Sequence, residues 1–303
     1  QQMNTINSQF AMSLSIILLG YFLKKMGVLK ESDGEVISRL IFNVTLPSIV
    51  INVFSTMSID KNLLLVPIIC LVYGLIMAVV ALIVFKGESR REKGMLTMLV
   101  PSFNIGLFAY PLVESIWGKE GLKYFGMFDM GNSFIVFAVC YIIASIYSSN
   151  EGEISYKKIF SKTLHSIPFL TYIITLTINL LGLSIPKPII EITGIISKAN
   201  MPLALLVLGL YLSFSFKKAY LKNMAKIIAL RYLIGFGVGI LLYNLVPDPM
   251  FKITMLIGFI LPISFTVIPY SVEFGYDTKF VGTVNNFTII ISFLLMWAII
   301  AFI

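Results

Sequence analysis

The sequence predicts an all-α polytopic membrane protein, and three observations support this fold class. Hydrophobic residues make up 58% of the 303 residues, and the mean hydropathy is +0.92. Only 13% of the residues are charged, whereas ordinary soluble domains carry about 25%. Apolar segments of roughly 18 or more residues recur along the chain with short polar connections between them, which is the pattern of membrane-spanning helices.

The apolar segments predict ten transmembrane helices in a single membrane domain, residues 1–303. These predicted spans, numbered 1 to 10, lie at about 8–27, 35–56, 62–85, 93–117, 121–147, 166–184, 189–214, 225–246, 250–274 and 279–303. The first span is expected to be retained, because no charged region precedes it and no small-residue cleavage site follows it. Cys70 and Cys140 lie in apolar segments, so no disulfide is expected. No soluble domain, nucleotide-binding loop or metal-ligand cluster is evident, and we expect neither an enzyme nor a cofactor or metal.

The basic residues predict how the spans are oriented. Of the 23 lysines and arginines, 17 lie in or beside the connections after spans 1, 3, 5, 7 and 9. These 17 are Lys24, Lys25, Lys30, Arg39, Lys86, Arg90, Arg91, Lys93, Lys157, Lys158, Lys162, Lys217, Lys218, Lys222, Lys226, Arg231 and Lys279. The opposite side has Lys61, Lys119, Lys123, Lys187, Lys198 and Lys252. The positive-inside rule therefore predicts a cell-membrane protein with both termini extracellular, and the net charge of +8 needs no nucleic-acid partner.

Two pairs of proline-containing segments indicate an internal repeat. Span 2 contains "NVTLPSIVINVF" around Pro47, and span 7 contains "KANMPLALLVLG" around Pro202. Span 4 contains "LVPSFNIGLFAYPLVESIWG" and span 9 contains "ILPISFTVIPYSVEFG", in which Pro111 and Pro269 correspond. The two offsets, 155 and 158 residues, are nearly equal. Because each half has five spans, repeat one (about 8–147) and repeat two (about 166–303) are predicted to be inverted copies, as in secondary transporters.

The prolines of spans 4 and 9 predict that both helices are broken and cross near the membrane midplane. These crossover prolines are Pro101, Pro111, Pro262 and Pro269. Broken backbone is tolerated at that depth only where it lines a protein cavity. A half-helix that begins there presents unpaired N–H groups and the positive end of its dipole, which together favour an anion. The substrate-binding candidates are Ser102, Asn104, Ile105, Gly106, Ser264 and Thr266.

Further polar residues within the spans are candidates for carrying a coupling proton or cation. An ionisable group inside a span is a functional candidate by default. Asp129 lies about two turns inside span 5, and Asn132 follows one turn later on the same face. The alternative for the carboxylates is an interfacial position, bonded to helix ends or to water. The candidates are Asp129, Asn132, Glu114, Glu273, Asn285 and Asn286.

Four segments of the chain resemble the bacterial branch of the auxin efflux carrier family, which is related to the plant PIN-formed auxin exporters. They are "RLIFNVTLPSIV", "SFNIGLFAYPLV", "GMFDMGNSFIVF" and "MPLALLVLGLYL". The resemblance covers nearly the whole chain, and its most specific part runs from Asn104 to Pro111. It implies a fold similar to sodium/proton antiporters and bile-acid sodium symporters. There, scaffold helices 1, 2, 6 and 7 support transport helices 3–5 and 8–10, which move in an elevator-like way.

The same resemblance implies a secondary transporter of a small organic anion, such as malate, malonate or an auxin-like acid. Family members form homodimers through the scaffold, and asparagines of both crossovers contact the substrate carboxylate. Asn104 matches the first of these asparagines, whereas Thr266 stands where bacterial relatives often have the second. Coupling to H⁺ or Na⁺ and uniport are both left open. The alternative is a membrane-embedded ligand sensor of the same fold without turnover, although the short connections offer no output domain.

Overall fold

The computed structural model describes residues 2–148, 157, 161, 165–213 and 217–303, and this part of the chain is helical without β-strands. Lys158 and Lys162, used above to predict orientation, lie outside the described residues. The first half contains α1 (Gln2–Lys25), α2 (Glu31–Leu40), α3 (Leu46–Phe54), α4 (Lys61–Val84), α5 (Arg90–Met98), α6 (Tyr110–Phe134) and α7 (Tyr141–Tyr147). The second half contains α8 (Ile167–Leu180), α9 (Lys187–Ser197), α10 (Asn200–Tyr211), α11 (Leu221–Ala229), α12 (Gly235–Leu245), α13 (Pro249–Gly258), α14 (Val267–Glu273) and α15 (Thr278–Phe302).

Several of these helices are continuous with a π-helical turn, so that longer segments result. The turns are Ile41–Thr45 between α2 and α3, Ile105–Ala109 before α6, Ile135–Cys140 between α6 and α7, and Leu230–Ile234 between α11 and α12. A short 3₁₀ turn, Lys218–Tyr220, precedes α11. Within α6, Gly118 has φ 56° and ψ −140°, so the chain changes direction there. A positive φ of this kind is easily adopted only by glycine.

Seven helical segments among the described residues are long and apolar enough to cross a membrane. They are Thr5–Lys25, Glu31–Phe54, Lys61–Val84, Ile105–Tyr147, Lys187–Tyr211, Lys218–Leu245 and Thr278–Phe302. Helices α8 and α13 are apolar but shorter. The predicted class, an all-α polytopic membrane protein, is therefore confirmed. The arrangement of ten spans as inverted repeats stays a prediction and is taken up under the proposed function.

Side-chain caps fix where several helices begin. The carboxylates of Asp60, Asp248 and Asp277 accept hydrogen bonds from the backbone N–H groups of the third helical residues, at 2.7, 2.7 and 3.0 Å. Each cap satisfies a donor that has no partner within the helix, which stabilises a helix start by about 1 kcal/mol. The caps place the starts of α4, α13 and α15 in the connections and leave the apolar segments uninterrupted.

Small residues allow α1 and α10 to pack backbone to backbone. A Cβ atom added at Gly209 would lie 1.9 Å from the carbonyl oxygen of Ile17, and one added at Gly20 would lie 2.2 Å from that of Leu206. Such close approach through small residues is the usual way in which helices associate inside a membrane. A side chain also links α8 to the end of α3. Asn179 of α8 donates to the carbonyl oxygens of Phe54 and Met57 at 2.8 and 2.9 Å.

Two non-helical segments interrupt the apolar helices, and they meet each other. Residues 99–104 separate α5 from the π-turn before α6, and residues 259–266 separate α13 from α14. The backbone N–H of Asn104 donates to the carbonyl oxygen of Pro262 at 2.8 Å. Each interruption contains a proline. Proline has no backbone N–H group, so it breaks the hydrogen-bond ladder of a helix. The site described below lies at this junction.

The assignment of Arg231 to a cytoplasmic connection is wrong. Arg231 lies in the π-turn between α11 and α12, inside the span Lys218–Leu245, and only 2% of it is exposed. The helix begins at Leu221, earlier than the predicted boundary, which places Arg231 well inside the span. A charged residue is tolerated there because backbone carbonyl oxygens of the interruptions accept its hydrogen bonds. It therefore carries no information about orientation.

Candidate functional site

A small cavity of about 50 Å³ lies where the two interruptions meet. One water molecule requires about 10–15 Å³ measured in this way, so the cavity has room for a few waters or one small polar group. Seven of the residues singled out from the sequence line it. They are Asn104, Ile105, Gly106, Asp129, Asn132, Ser264 and Thr266. The junction therefore gathers candidates from both halves of the chain around one space.

Asn104 caps the helix that begins at Ile105 and keeps one polar group free. Its Oδ1 atom accepts a hydrogen bond from the backbone N–H of Leu107 at 3.3 Å. The residue is only 4% exposed, and its Nδ2 atom has no hydrogen-bond partner among the described residues. An unpaired buried amide donor costs roughly 1–3 kcal/mol unless something binds it. Asn104 therefore lines the cavity and keeps an N–H donor for which a bound ligand would be a partner.

The other candidates of the two interruptions contribute packing and hydroxyl groups. A Cβ atom added at Gly106 would lie 2.8 Å from the Phe42 ring, so glycine permits close packing against the π-turn before α3. Ser264 Oγ accepts from the backbone N–H of Thr266 at 3.3 Å, which stabilises the turn before α14. Thr266 is half-buried and lines the cavity. Ile105 is buried and supplies part of the apolar wall.

Polar side chains from the following helices hold each interruption in place. Asn132 of α6 accepts from the backbone N–H of Phe103 and donates to its carbonyl oxygen, both at 2.9 Å. In the second half, Thr288 Oγ1 accepts from the N–H of Ile263 at 3.1 Å, and Asn285 Nδ2 donates to the Ile263 carbonyl at 3.2 Å. Each pair of bonds satisfies backbone groups that the broken helix leaves unpaired.

Asp129 connects the cavity to α8 through a tyrosine. One carboxylate oxygen accepts from the Tyr172 hydroxyl at 2.7 Å, and the other accepts from Asn132 Nδ2 at 3.3 Å. The Tyr172 hydroxyl is in turn hydrogen-bonded to that of Tyr110. Asp129 is only 8% exposed, and both tyrosines are fully buried. The carboxylate is therefore held by neutral donors, so it can be protonated without breaking an ion pair.

Several predicted candidates lie away from the small cavity. Ser102 is fully buried and does not line it. Glu114 has a buried carboxylate oxygen without a hydrogen-bond partner in the described part of the chain. Glu273 is exposed, and its Oε1 atom accepts from the Tyr141 hydroxyl at 2.7 Å. Asn286 lines a different, larger cavity.

The four crossover prolines also differ in position. Pro101 is buried within the first interruption, and Pro111 is buried near the start of α6. Pro262 is buried, and its carbonyl oxygen accepts the hydrogen bond from Asn104. Pro269 is exposed and lines a larger cavity together with Thr266. Pro262 therefore contributes a backbone hydrogen bond between the two interruptions.

Two larger cavities adjoin the small one on one side of the molecule. A cavity of about 760 Å³ shares Phe42, Phe265 and Thr266 with it. A second, of about 610 Å³, shares Phe265 with the first and extends to Lys217 and Lys279. These two lysines belong to connections that the charge distribution predicts to be cytoplasmic. The small cavity is therefore adjacent to two larger cavities, one of which is lined by residues of these connections.

Arg231 is the residue at this junction that the sequence analysis missed. Its Nη1 atom donates to the carbonyl oxygens of Leu99, Val100 and Ser102, and its Nη2 atom donates to that of Leu261 at 2.7 Å. The guanidinium group also lies 5.0 Å from the centre of the Phe103 ring. The sequence did contain a signal for Arg231, because apolar residues of span 8 flank it on both sides. An arginine inside a span is a functional candidate by default.

Interrupted helices that meet at a polar cavity inside a helical membrane protein are typical of membrane transporters. The comparison with known families agrees with this class. Residues 6–300 match the model of a family described as membrane transport protein. The chain belongs to this family, and the resemblance to auxin efflux carriers is thereby confirmed.

Two archaeal proteins are similar over most of the chain. An "uncharacterized transporter" of Methanothermobacter thermautotrophicus is 30% identical over 227 residues, which cover 73% of each protein. An "uncharacterized transporter" of Methanocaldococcus jannaschii is 26% identical over 210 residues, which cover 66% of this chain and 67% of the relative. Both are described as transporters without a stated substrate, so the comparisons support transport and leave the choice of substrate to the site.

Proposed function

We propose that this protein is a secondary transporter that carries a small organic anion across the cell membrane by alternating access of the elevator type. The observation that carries the proposal is the unpartnered Nδ2 donor of Asn104 at the small cavity between the interruptions. A carboxylate is an acceptor with two oxygens, and it would satisfy this donor with a charge-assisted hydrogen bond. Candidate substrates are monocarboxylates and dicarboxylates such as malate, malonate or an auxin-like acid.

The helix that begins at Ile105 strengthens the preference for an anion. Its first N–H groups have no intrahelical partner, and its N-terminus carries the positive end of the helix dipole. Asn104 caps this helix through Oδ1, which orients Nδ2. The carboxylate end of a substrate fits the 50 Å³ cavity, and the remainder would extend past Thr266 into the 760 Å³ cavity. The hydroxyl of Thr266 is the second polar contact that we assign to the substrate.

Two hydrogen bonds support the arrangement of ten spans as inverted repeats. Residues that contact their own repeat equivalents must lie on the axis that relates the two copies. Thr45 donates to Asn200 at 2.8 Å, and these two residues are 155 positions apart, the offset of the first proline pair. Asn104 and Pro262 are 158 positions apart, the offset of the second pair. The axis would thus pass through the proposed substrate site.

Asp129 is the residue that we assign to proton coupling. It lines the cavity, and it is hydrogen-bonded to Tyr172 on α8, which the elevator arrangement assigns to the scaffold. An inside-negative membrane potential favours exit of an anion by about 2.3 kcal/mol per charge per 100 mV. Uncoupled export therefore needs no second ion, whereas uptake requires a co-transported cation, which a protonated Asp129 would supply.

The proposal is tested by ligand-dependent thermal stability of the purified protein with malate, malonate and indole-3-acetate. A ligand that binds the folded state raises its stability by mass action. In Asn104→Asp the cap acceptor is kept and the amide donor is lost, so carboxylate affinity should fall about tenfold or more. Asn244→Ala, which changes an exposed asparagine of α12, is the matched control and should keep the full shift. Carboxylate shifts of equal size in wild type and Asn104→Asp would remove Asn104 from the site.

A further inference from the structure

Arg231 joins the two interruptions through a single guanidinium group. It donates four hydrogen bonds to backbone carbonyl oxygens, three in the first interruption and one in the second. The arginine fork has five rigidly placed donors, which suits it to several acceptors at once. No carboxylate forms an ion pair with it among the described residues. The positive charge is therefore buried and balanced only by dipoles.

The carbonyl groups that Arg231 binds lie just beyond the C-terminal ends of two helices. Leu99, Val100 and Ser102 follow the end of α5, and Leu261 follows the end of α13. The last carbonyl groups of a helix are unpaired and carry a partial negative charge. Without a cation there, these two negative ends would face the same junction as the proposed anion site. Arg231 compensates for both of them.

We propose that Arg231 is a specificity-determining residue that makes the junction selective for anions. This inference rests on the proposed function and adds a reason for its substrate class. Arg231 binds the carbonyl oxygen of Ser102, two positions before Asn104, without lining the cavity itself. It therefore acts on the substrate through the electrostatic potential and through the backbone that carries Asn104, as a positioning residue.

Charge and structural support make different predictions, so the two roles can be separated. Removing the charge weakens binding of a carboxylate more than binding of its neutral amide. A purely structural role weakens both ligands by the same factor. The ratio of the two affinities is therefore the informative quantity.

The experiment compares malonate with malonamide and indole-3-acetate with indole-3-acetamide on the purified full-length protein, by thermal shift and calorimetry. In wild type, the carboxylate of at least one pair should bind more tightly than its amide. In Arg231→Gln, the carboxylate-to-amide affinity ratio should fall by about tenfold or more, as expected for loss of one nearby charge in a medium of effective dielectric constant near 20. Arg231→Lys at neutral pH should keep most of the ratio.

A second readout uses Arg231→Lys alone, which covers the case in which Arg231→Gln does not fold. A buried lysine amine can lose its proton, whereas a guanidinium group cannot. In Arg231→Lys, the carboxylate-to-amide ratio should therefore fall as the pH is raised from 6 to 9, beyond any change in wild type. Tyr73, Cys140 and Tyr232, the titratable groups around position 231, are the same in both proteins. A pH effect confined to the variant thus belongs to position 231.

The outcomes distinguish this inference from the proposed function. If wild type binds no carboxylate, the proposed function fails and this inference fails with it. If wild type prefers the carboxylate and Arg231→Gln keeps the same ratio, only the inference is overturned. An Arg231→Lys ratio with the same pH dependence as wild type also overturns it.

Discussion

At the scale of single residues, two asparagines of similar burial have opposite hydrogen-bonding states. Asn132 is 3% exposed, and its amide is fully used on the backbone of Phe103 and on Asp129. Asn104 is 4% exposed, and its amide nitrogen has no partner in the described part of the chain. A buried donor without a partner destabilises the ligand-free protein, so it is the stronger indication of a ligand. Asn132, which the sequence marks as a candidate for coupling-ion binding, holds the first interruption in place.

A prediction at this scale concerns Asp129. Asp129→Asn keeps the acceptor for the Tyr172 hydroxyl but cannot take up a proton. We therefore expect carboxylate flux in proteoliposomes to lose its pH dependence while the protein stays folded. Glu114→Gln changes a half-buried carboxyl group that does not line the cavity, so it should keep the wild-type pH profile. A pH profile unaltered in Asp129→Asn would show that the coupling proton is carried elsewhere.

At the scale of helices, backbone contact between α1 and α10 depends on glycine. An added methyl group at Gly209 would collide with the backbone of α1, whereas one at Gly237 in α12 would meet no atom within 4 Å among the described residues outside its own stretch of helix. Gly209→Ala should therefore lower stability by about 1–3 kcal/mol. Gly237→Ala should be neutral or slightly stabilising, since alanine favours helix. The unfolding of the two variants in detergent is followed by circular dichroism. Equal stabilities would show that the contact between α1 and α10 accommodates the added methyl group without loss of stability.

Helix interruption is also a matter of this scale. Prolines marked both interrupted segments, because a proline breaks the hydrogen-bond ladder locally. The side chains that repair the ladder, Asn132, Asn285 and Thr288, come from helices about 20 to 30 residues further along the chain. Their role depends on how those helices pack, so their polarity suggested function without indicating which.

At the scale of the whole molecule, the orientation in the membrane can be tested at the two ends of one span. Lys187 and Lys218 flank the span Lys187–Tyr211, and both are exposed. In intact cells, a membrane-impermeant thiol reagent should label Lys187→Cys and not Lys218→Cys, whereas inverted vesicles should show the reverse. Cys70 and Cys140 are buried, so they should not react with the reagent in either preparation. Labelling of Lys218→Cys from outside would invert the predicted topology.

The sequence alone determined the membrane class, the positions of the interruptions and seven of the fifteen residues that line the small cavity. These follow from composition, from apolar segment length and from prolines, all of which act locally along the chain. Only the tertiary structure decided that Asn104 keeps a free donor, that Asp129 binds Tyr172 and that Arg231 is buried. Asp129 and Tyr172 are 43 residues apart in the chain, and Arg231 and Leu99 are 132 residues apart. The free donor of Asn104 depends on the absence of a partner among the described residues. Hydrogen bonding and burial of a polar group are set by its neighbours in space, which helix packing chooses.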